Sequence, residues 1–374
     1  MDKPILMKDR LGKDAVRHIS HILSLVIDDF PTQSFIADAE DGLYKLELKQ
    51  RVDFLIVILA KYLPSNFAKT ASILMALKDD WIVHSENKDV DNFAAWPLID
   101  YVAVYGLQEP ELSLELLKKL SPLFSAEFAI RPFIEQHFEL SYSQLLIWCT
   151  DPDEHVRRLA SEGIRPRLPW GKQLTQFCEN PDAIFPILEY LKDDSSLYVR
   201  KSVANNLNDI SKDHPDKVIA LCQRWLNGAT EQRKWLIRHA LRSLVKAGKP
   251  EVFPLLGYTA DPQVQLIAFE LNKTILQFGQ KIELSISLLS VSTKQQSIVV
   301  DYKVHYVKAN GLTTSKVFKW KNISLAGQQQ LLLSKQHAFK PISTRQYYSG
   351  SHSIEIMLNG ISYGINQFEL QIKT

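Results

Sequence analysis

With 374 residues, 45% of them hydrophobic and 23% charged, the chain has the composition of an ordinary folded protein of two or three domains. It carries no low-complexity tract and no Pro- or Gly-rich linker, which excludes a disordered or fibrous class and predicts a contiguous packed architecture. Met1-Asp2-Lys3-Pro4 lacks the apolar core of a signal peptide, and the longest apolar run, Phe54 to Ala60, is bracketed by Asp53 and Lys61. That run is far too short to span a bilayer, so a cytoplasmic protein without a membrane partner is expected.

Three cysteines, Cys149, Cys178 and Cys222, have neither CxxC pairing nor a histidine at ligand spacing. They predict reduced core thiols, with no disulfide framework and no metal site. The net charge of +2 hides a gradient: −7 over residues 1–150, +2 over 151–264 and +7 over 265–374. A basic C-terminal part on an acidic N-terminal part is compatible with a polyanionic partner or with a merely soluble surface.

From Lys13 to about Tyr258 the hydrophobic period is helical. Ile19, Ile22, Leu23, Val26 and Phe30 recur at three- and four-residue intervals, as do Val52, Leu55, Ile56 and Leu59. Short punctuation such as Leu63-Pro64-Ser65-Asn66, Asp151-Pro152-Asp153 and His214-Pro215-Asp216 separates the helices, which predicts antiparallel neighbours. Glu154–Ala160, Leu197–Val203 and Trp235–Leu241 match one another at offsets of 43 and 38 residues, the period of HEAT or armadillo helix pairs. Such repeats bury apolar faces only against their neighbours and stack into a right-handed solenoid.

After Asp261-Pro262 the period becomes two. Lys281–Leu288, Ser353–Ile356 and Phe368–Ile372 alternate cleanly, and β-rich runs lie at Ser297–Val307, Lys316–Trp320 and Gln330–Ser334. About seven strands of this kind predict a small immunoglobulin-like β-sandwich. The expected fold class is mainly α: a HEAT-like solenoid over residues 1–264, then a sandwich over 265–374. Alternation places Lys319 and Lys321 on one strand face and Trp320 in the core, with Lys303, Lys308 and Lys316 adding basic surface.

No Walker loop, dinucleotide-binding glycine motif, HExxH or nucleophile elbow is present, so nucleotide hydrolysis, dinucleotide redox chemistry and zinc hydrolysis are poor candidates. The repeat helices offer more. In register, Arg158, Lys201 and His239 share a position, followed four residues on by Glu162, Asn205 and Ser243 and seven on by Arg165, Asn208 and Lys246. These offsets fall on one helix face, so stacking predicts a polar, mostly cationic band able to cradle a nucleic-acid backbone. A solvated face, with Arg158–Glu162 an ordinary i,i+4 pair, is the alternative. The densest stretch, Ser161-Glu162-Gly163-Ile164-Arg165-Pro166-Arg167-Leu168-Pro169-Trp170, holds two arginines and a tryptophan beside one carboxylate. Gly163 is expected to end the helix. Upstream, Ser125-Ala126-Glu127 reads as a Ser cap with a first-turn acid.

These segments, with the repeat beginning Val199-Arg200-Lys201 and the C-terminal β region, resemble the bacterial HEAT-like-repeat DNA alkylation-repair glycosylases, specifically the AlkC-type subfamily with a C-terminal immunoglobulin-like domain. The resemblance covers the whole chain. It implies a monofunctional glycosylase that releases cationic bases such as 3-methyladenine and 3-methylcytosine from double-stranded DNA, without a flipping pocket and without a metal or cofactor. Glu162 and Glu127 match that family's catalytic carboxylates, and Trp170 an aromatic beside the lesion. Arg158, Arg165, Arg167, Lys201, Asn205, Asn208, His239 and Lys246 are then the candidate DNA-binding residues of a monomer. A non-catalytic HEAT-repeat scaffold binding DNA or an acidic protein is the competing reading.

Overall fold

The structure, a computed structural model, describes residues 6–84 and 88–372. Among these residues no helix is long and apolar enough to cross a membrane. The chain forms two compact units: Met1–Asp213 with Glu231–Ala240, and His214–Thr230 with Leu241–Thr374. Secondary structure changes from helix to strand at Val264, but the helices Pro215–Leu226, Arg242–Ala247 and Val252–Leu255 group with the strands.

The first unit is helical. Its helices run where the apolar period predicts: Ile19, Ile22 and Leu23 of Lys13–Val26, and Val52, Leu55, Ile56 and Leu59 of Leu48–Tyr62, are buried. Side-chain caps fix several starts by accepting from orphan backbone amides: Asn66 from Lys69 N at 3.0 Å, Asp153 from His155 N at 2.8 Å, and Ser196 from Tyr198 N at 3.2 Å. The repeated helices Glu154–Glu162, Leu197–Ile210 and Glu231–Ala240 pack side by side in that order.

The shared arginine of the repeat has a structural explanation. Arg157 donates to the carbonyls of Asp151 and Pro152, and Arg200 to those of Asp194 and Ser195. Each guanidinium pins the turn that leads into its own helix.

The second unit carries eight strands among the described residues: β1 (Val264–Leu271), β2 (Ile275–Gln277), β3 (Lys281–Ser290), β4 (Gln296–Val307), β5 (Thr313–Leu325), β6 (Gln330–Ala338), β7 (Gly350–Leu358) and β8 (Ile361–Gln371). They form a three-stranded sheet ordered β1-β3-β6 and a five-stranded sheet ordered β2-β8-β7-β4-β5. Ile282, Leu284, Ile286 and Leu288 of β3 join Val300, Val304, Ile354 and Ile356 in a single core. All the runs read as strands lie in this sandwich; β1 and β2 are additional. Trp320 is half-buried against the core, at a bulge where Val300 faces Lys321 and Asp301 faces Lys319. Lys319 and Lys321 are exposed, while Lys303 is tied to Glu355 at 3.1 Å. The β7–β8 turn sits against the segment that precedes the sandwich. A Cβ on Gly360, whose φ is +77°, would lie 2.2 Å from Gly248 Cα, so both positions need glycine.

Candidate active site

Glu162 ends the helix Glu154–Glu162, and the chain then turns through Gly163–Gly171. Gly163 comes next with φ −62°, so it is not a left-handed cap. It is required for packing, because a Cβ there would come within 2.7 Å of Ile130 Cγ2. Arg131, 1% exposed, holds this turn: its Nη1 donates to the carbonyls of Gly163 and Arg165, both at 2.9 Å, and its Nε to Lys172 O at 2.6 Å. Burial lowers the Arg131 pKa to about 10, still a cation at neutral pH. Glu127 lies in a run of turns ahead of the helix Arg131–Gln136, not in the first turn of a helix as its Ser-cap pattern suggests. Ser125 Oγ instead donates to the Glu127 carboxylate at 2.9 Å.

The arginines bring the two carboxylates together. Arg158 Nη1 lies 2.8 Å from Glu127 Oε2 and its Nη2 lies 3.4 Å from Glu162 Oε1. Arg165 Nη1 donates to Glu162 Oε1 at 2.6 Å, while its Nε and Nη2 bind Asp209 Oδ2 at 2.8 and 2.7 Å. Ser202 Oγ donates to Glu162 Oε2. Glu162 is only 4% exposed. Burial pulls the proton affinity of both guanidiniums down, but Glu162 with Glu127 for Arg158, and Glu162 with Asp209 for Arg165, outweigh it and raise both pKa values. The cluster sets three carboxyl groups, Glu127, Glu162 and Asp209, against the guanidiniums of Arg158 and Arg165, with Lys212 reaching Asp209 at 2.9 Å from the solvent side.

Glu127 and Glu162 open into one cavity of about 370 Å³, with walls of Met7, Phe93, Trp96, Phe124, Phe128, Leu168, Pro169 and Trp170. Trp96 stacks on Phe124 at 5.2 Å and on Phe128 at 5.3 Å between ring centroids. Behind this wall Trp96 Nε1 donates to Asp100 Oδ2 at 2.8 Å. Burial raises the Asp100 pKa to about 7, against the opposing pull of the Trp96 hydrogen bond. Trp170 is 58% exposed and has φ +64°, a left-handed conformation that costs a non-glycine residue roughly 1–2 kcal/mol. Lys49 Nζ, 3.3 Å from the Trp170 carbonyl, helps hold it. A strained, exposed tryptophan on a cavity rim is not a core packing residue.

The predicted cationic band is interrupted. Arg165 lies beyond the end of its helix, and the third copy breaks at Leu241, so Ser243 and Lys246 sit on Arg242–Ala247 in the other compact unit. Only Leu197–Ile210 runs far enough to carry all three positions. Arg158 and Arg165 are not open to solvent; both are committed to carboxylates, and Asn208 is buried. Arg167 forms a bidentate pair with Asp213 at 2.9 and 2.8 Å. His239 Nε2 lies 3.2 Å from Asn205 Oδ1. Lys201 and Lys246 are exposed. Cys149 and Cys222 are buried thiols whose pKa burial pushes up to about 12, and Cys178 is half-buried.

Sequence reasoning missed Trp96, Phe124 and Phe128, which precede the repeats, and the anchoring roles of Arg131, Ser202 and Asp209. Asp209 carries a recoverable signal, since it lies 44 residues after Arg165, close to one repeat.

Residues 124–244 match the family model "DNA alkylation repair enzyme", and residues 265–372 match the C-terminal Ig-like domain of YhaZ. The chain is 34% identical to YhaZ of Bacillus subtilis over 355 residues, covering 95% of this chain and 96% of that one. It also superposes on the alkylpurine DNA glycosylase AlkC of Pseudomonas fluorescens, solved bound to DNA containing an abasic site analogue. That match has a TM-score of 0.91 at 36% identity, over 98% of this chain and 99% of the other. With relatives this similar over almost their whole length, the chain belongs to the YhaZ and AlkC family of DNA alkylation repair proteins, which joins a helical repair region to a C-terminal Ig-like domain.

Proposed function

We propose that this protein is a monofunctional DNA glycosylase that hydrolyses the N-glycosidic bond of cationic alkylated bases, 3-methyladenine and 3-methylcytosine, in double-stranded DNA. On this reading residues 1–264 carry the chemistry, residues 265–374 are an accessory sandwich, and the protein works in the cytoplasm as a monomer, without metal or cofactor. The observation that carries the reading is the pair Glu127 and Glu162, facing one aromatic-walled cavity with more carboxylate than guanidinium charge around it.

An N3-methylated base is already positive and departs neutral, so no general acid is needed. Two tasks remain: stabilising the oxocarbenium-like sugar and positioning a water. Glu162, buried and held on both oxygens by Arg165 and Ser202, suits the first, as a fixed negative charge in a poorly solvated site. Glu127 suits the second: Arg158 and Ser125 both bind Oε2, and none of the described contacts goes to Oε1. The exposed Trp170 face can hold the cationic base, contributing about 0.5–2 kcal/mol. Lys201, Lys246, Asn205, His239 and Arg167 are proposed to grip the backbone, whereas Arg158, Arg165 and Asn208 serve the carboxylates.

Incubating the purified protein with methylated duplex DNA and identifying the released bases tests the proposal. Release of 3-methyladenine or 3-methylcytosine, leaving abasic sites and no strand nicks, is expected. Binding to the same duplex without base release would leave the non-catalytic scaffold.

A further inference from the structure

The N-terminal turn Met7–Arg10 is fastened to the first unit with unusual thoroughness. Arg51, 3% exposed, donates through Nη1 to Lys8 O at 2.6 Å and Leu11 O at 3.2 Å, and through Nε to Leu46 O at 3.0 Å. Lys8 pairs with Glu47 at 2.7 Å. Gly12 lets the chain fold back tightly, since a Cβ there would lie 2.9 Å from Asp9 O. Met7 thereby enters the wall of the carboxylate cavity, and Arg10 enters the wall of a second cleft of about 380 Å³.

That second cleft adjoins the first through Phe93, Phe124 and Glu127, which line both. Beside Pro122 and Leu123, its remaining lining includes the polar side chains of Ser121, Ser125, His155, Arg158 and Tyr198. The two differ in the sign of their charge. The aromatic cavity is lined by Glu127 and Glu162 against Arg165, and the polar cleft by Arg10 and Arg158 against Glu127. Arg158 is consumed by the carboxylates. Arg10 lies 5.3 Å from the Phe93 centroid and makes no ion pair among the described residues. A guanidinium that lines a cleft together with Ser121, Ser125 and Tyr198, and that pairs with no carboxylate among the described residues, suits a phosphate oxygen.

We propose that the polar cleft binds a DNA backbone phosphate next to the lesion nucleotide, with Arg10 as its cation, which makes the N-terminal turn part of the DNA interface. The inference rests on the glycosylase reading and adds to it a second, oppositely charged subsite. The lesion's positive charge faces the carboxylates while the neighbouring phosphate faces Arg10, so one nucleotide step meets fields of opposite sign.

The test couples protein and DNA changes. Full-length wild type, Arg10→Gln and Arg10→Lys are titrated with duplexes containing an abasic-site analogue. In each duplex a single phosphate near that site is replaced by a neutral methylphosphonate. Arg10→Gln should weaken binding to the unmodified duplex roughly tenfold and lower the slope of log affinity against log salt by about one. Arg10→Lys should retain most of the affinity. One methylphosphonate position should abolish the difference between wild type and Arg10→Gln, while the others leave it intact. The proposal is overturned by a difference that persists at every position, or by no loss of binding in a folded Arg10→Gln protein. Base release by wild type, measured separately, reports on the glycosylase reading alone: phosphate coupling without release sinks that reading, and release without coupling sinks this one.

Discussion

Replacing Glu162 by Gln removes one charge while nearly preserving shape. Both arginines keep a partner, Arg158 on Glu127 and Arg165 on Asp209, so the fold should survive. What disappears is the excess of carboxylate over guanidinium charge around the cavity. A unit charge about 4 Å from a developing cation is worth roughly 4 kcal/mol at an effective dielectric constant of about 20. Losses at comparable preorganised sites are about 3 kcal/mol, so excision should slow by roughly 10²-fold or more. Affinity for abasic-analogue DNA should be unchanged or slightly higher, because a carboxylate near phosphates opposes binding. Single-turnover release of 3-methyladenine, with fluorescence anisotropy on the same preparations, separates the two effects. A Glu162→Gln protein that excises within a few-fold of wild type would remove the buried carboxylate from the mechanism.

Arg165→Ala should behave differently: it leaves the buried Asp209 and Glu162 without their shared cation, costing about 3–5 kcal/mol of stability, visible as a large drop in thermal midpoint. Lys201→Ala, at an exposed site, should leave stability unchanged but lower the salt slope of DNA binding by about one; an unaltered slope would make this residue mere solvated surface. Asp100 has a raised pKa, so between about pH 4 and about pH 7 the folded state keeps a proton that the unfolded state has lost, and its contribution to stability falls as pH rises through that window. Asp100→Asn, which can still accept from Trp96, should therefore stabilise the protein at pH 8 and do little at pH 4, and equal thermal shifts at both pH values would contradict this. Gly360→Ala should cost more than about 1 kcal/mol, since it combines a positive φ with backbone contact at Gly248, and an unshifted denaturant midpoint would show that the turn can relax.

The periodicities alone determined the helical region, the repeat and the sandwich, because burial on one helix stripe or one strand face writes itself into every third or fourth, or every second, residue. Val264–Leu271 escaped that reading because Leu266-Ile267-Ala268-Phe269 is apolar without alternation, and its strand identity comes from pairing with β3. The motif around Glu162 was legible because its residues are close in sequence. The partners that define its chemistry are not: Glu127, Asp209 and Ser202 lie 35, 47 and 40 residues from it. Helix-face arithmetic made Arg158 and Arg165 look like open cations, since a sequence shows where a side chain points but not what waits there. Only the folded structure brought two carboxylates to one side of an aromatic cavity and turned those arginines inward. Ionised groups removed from water must find opposite charge across the fold, and that demand is met by packing between distant segments, which no local pattern records.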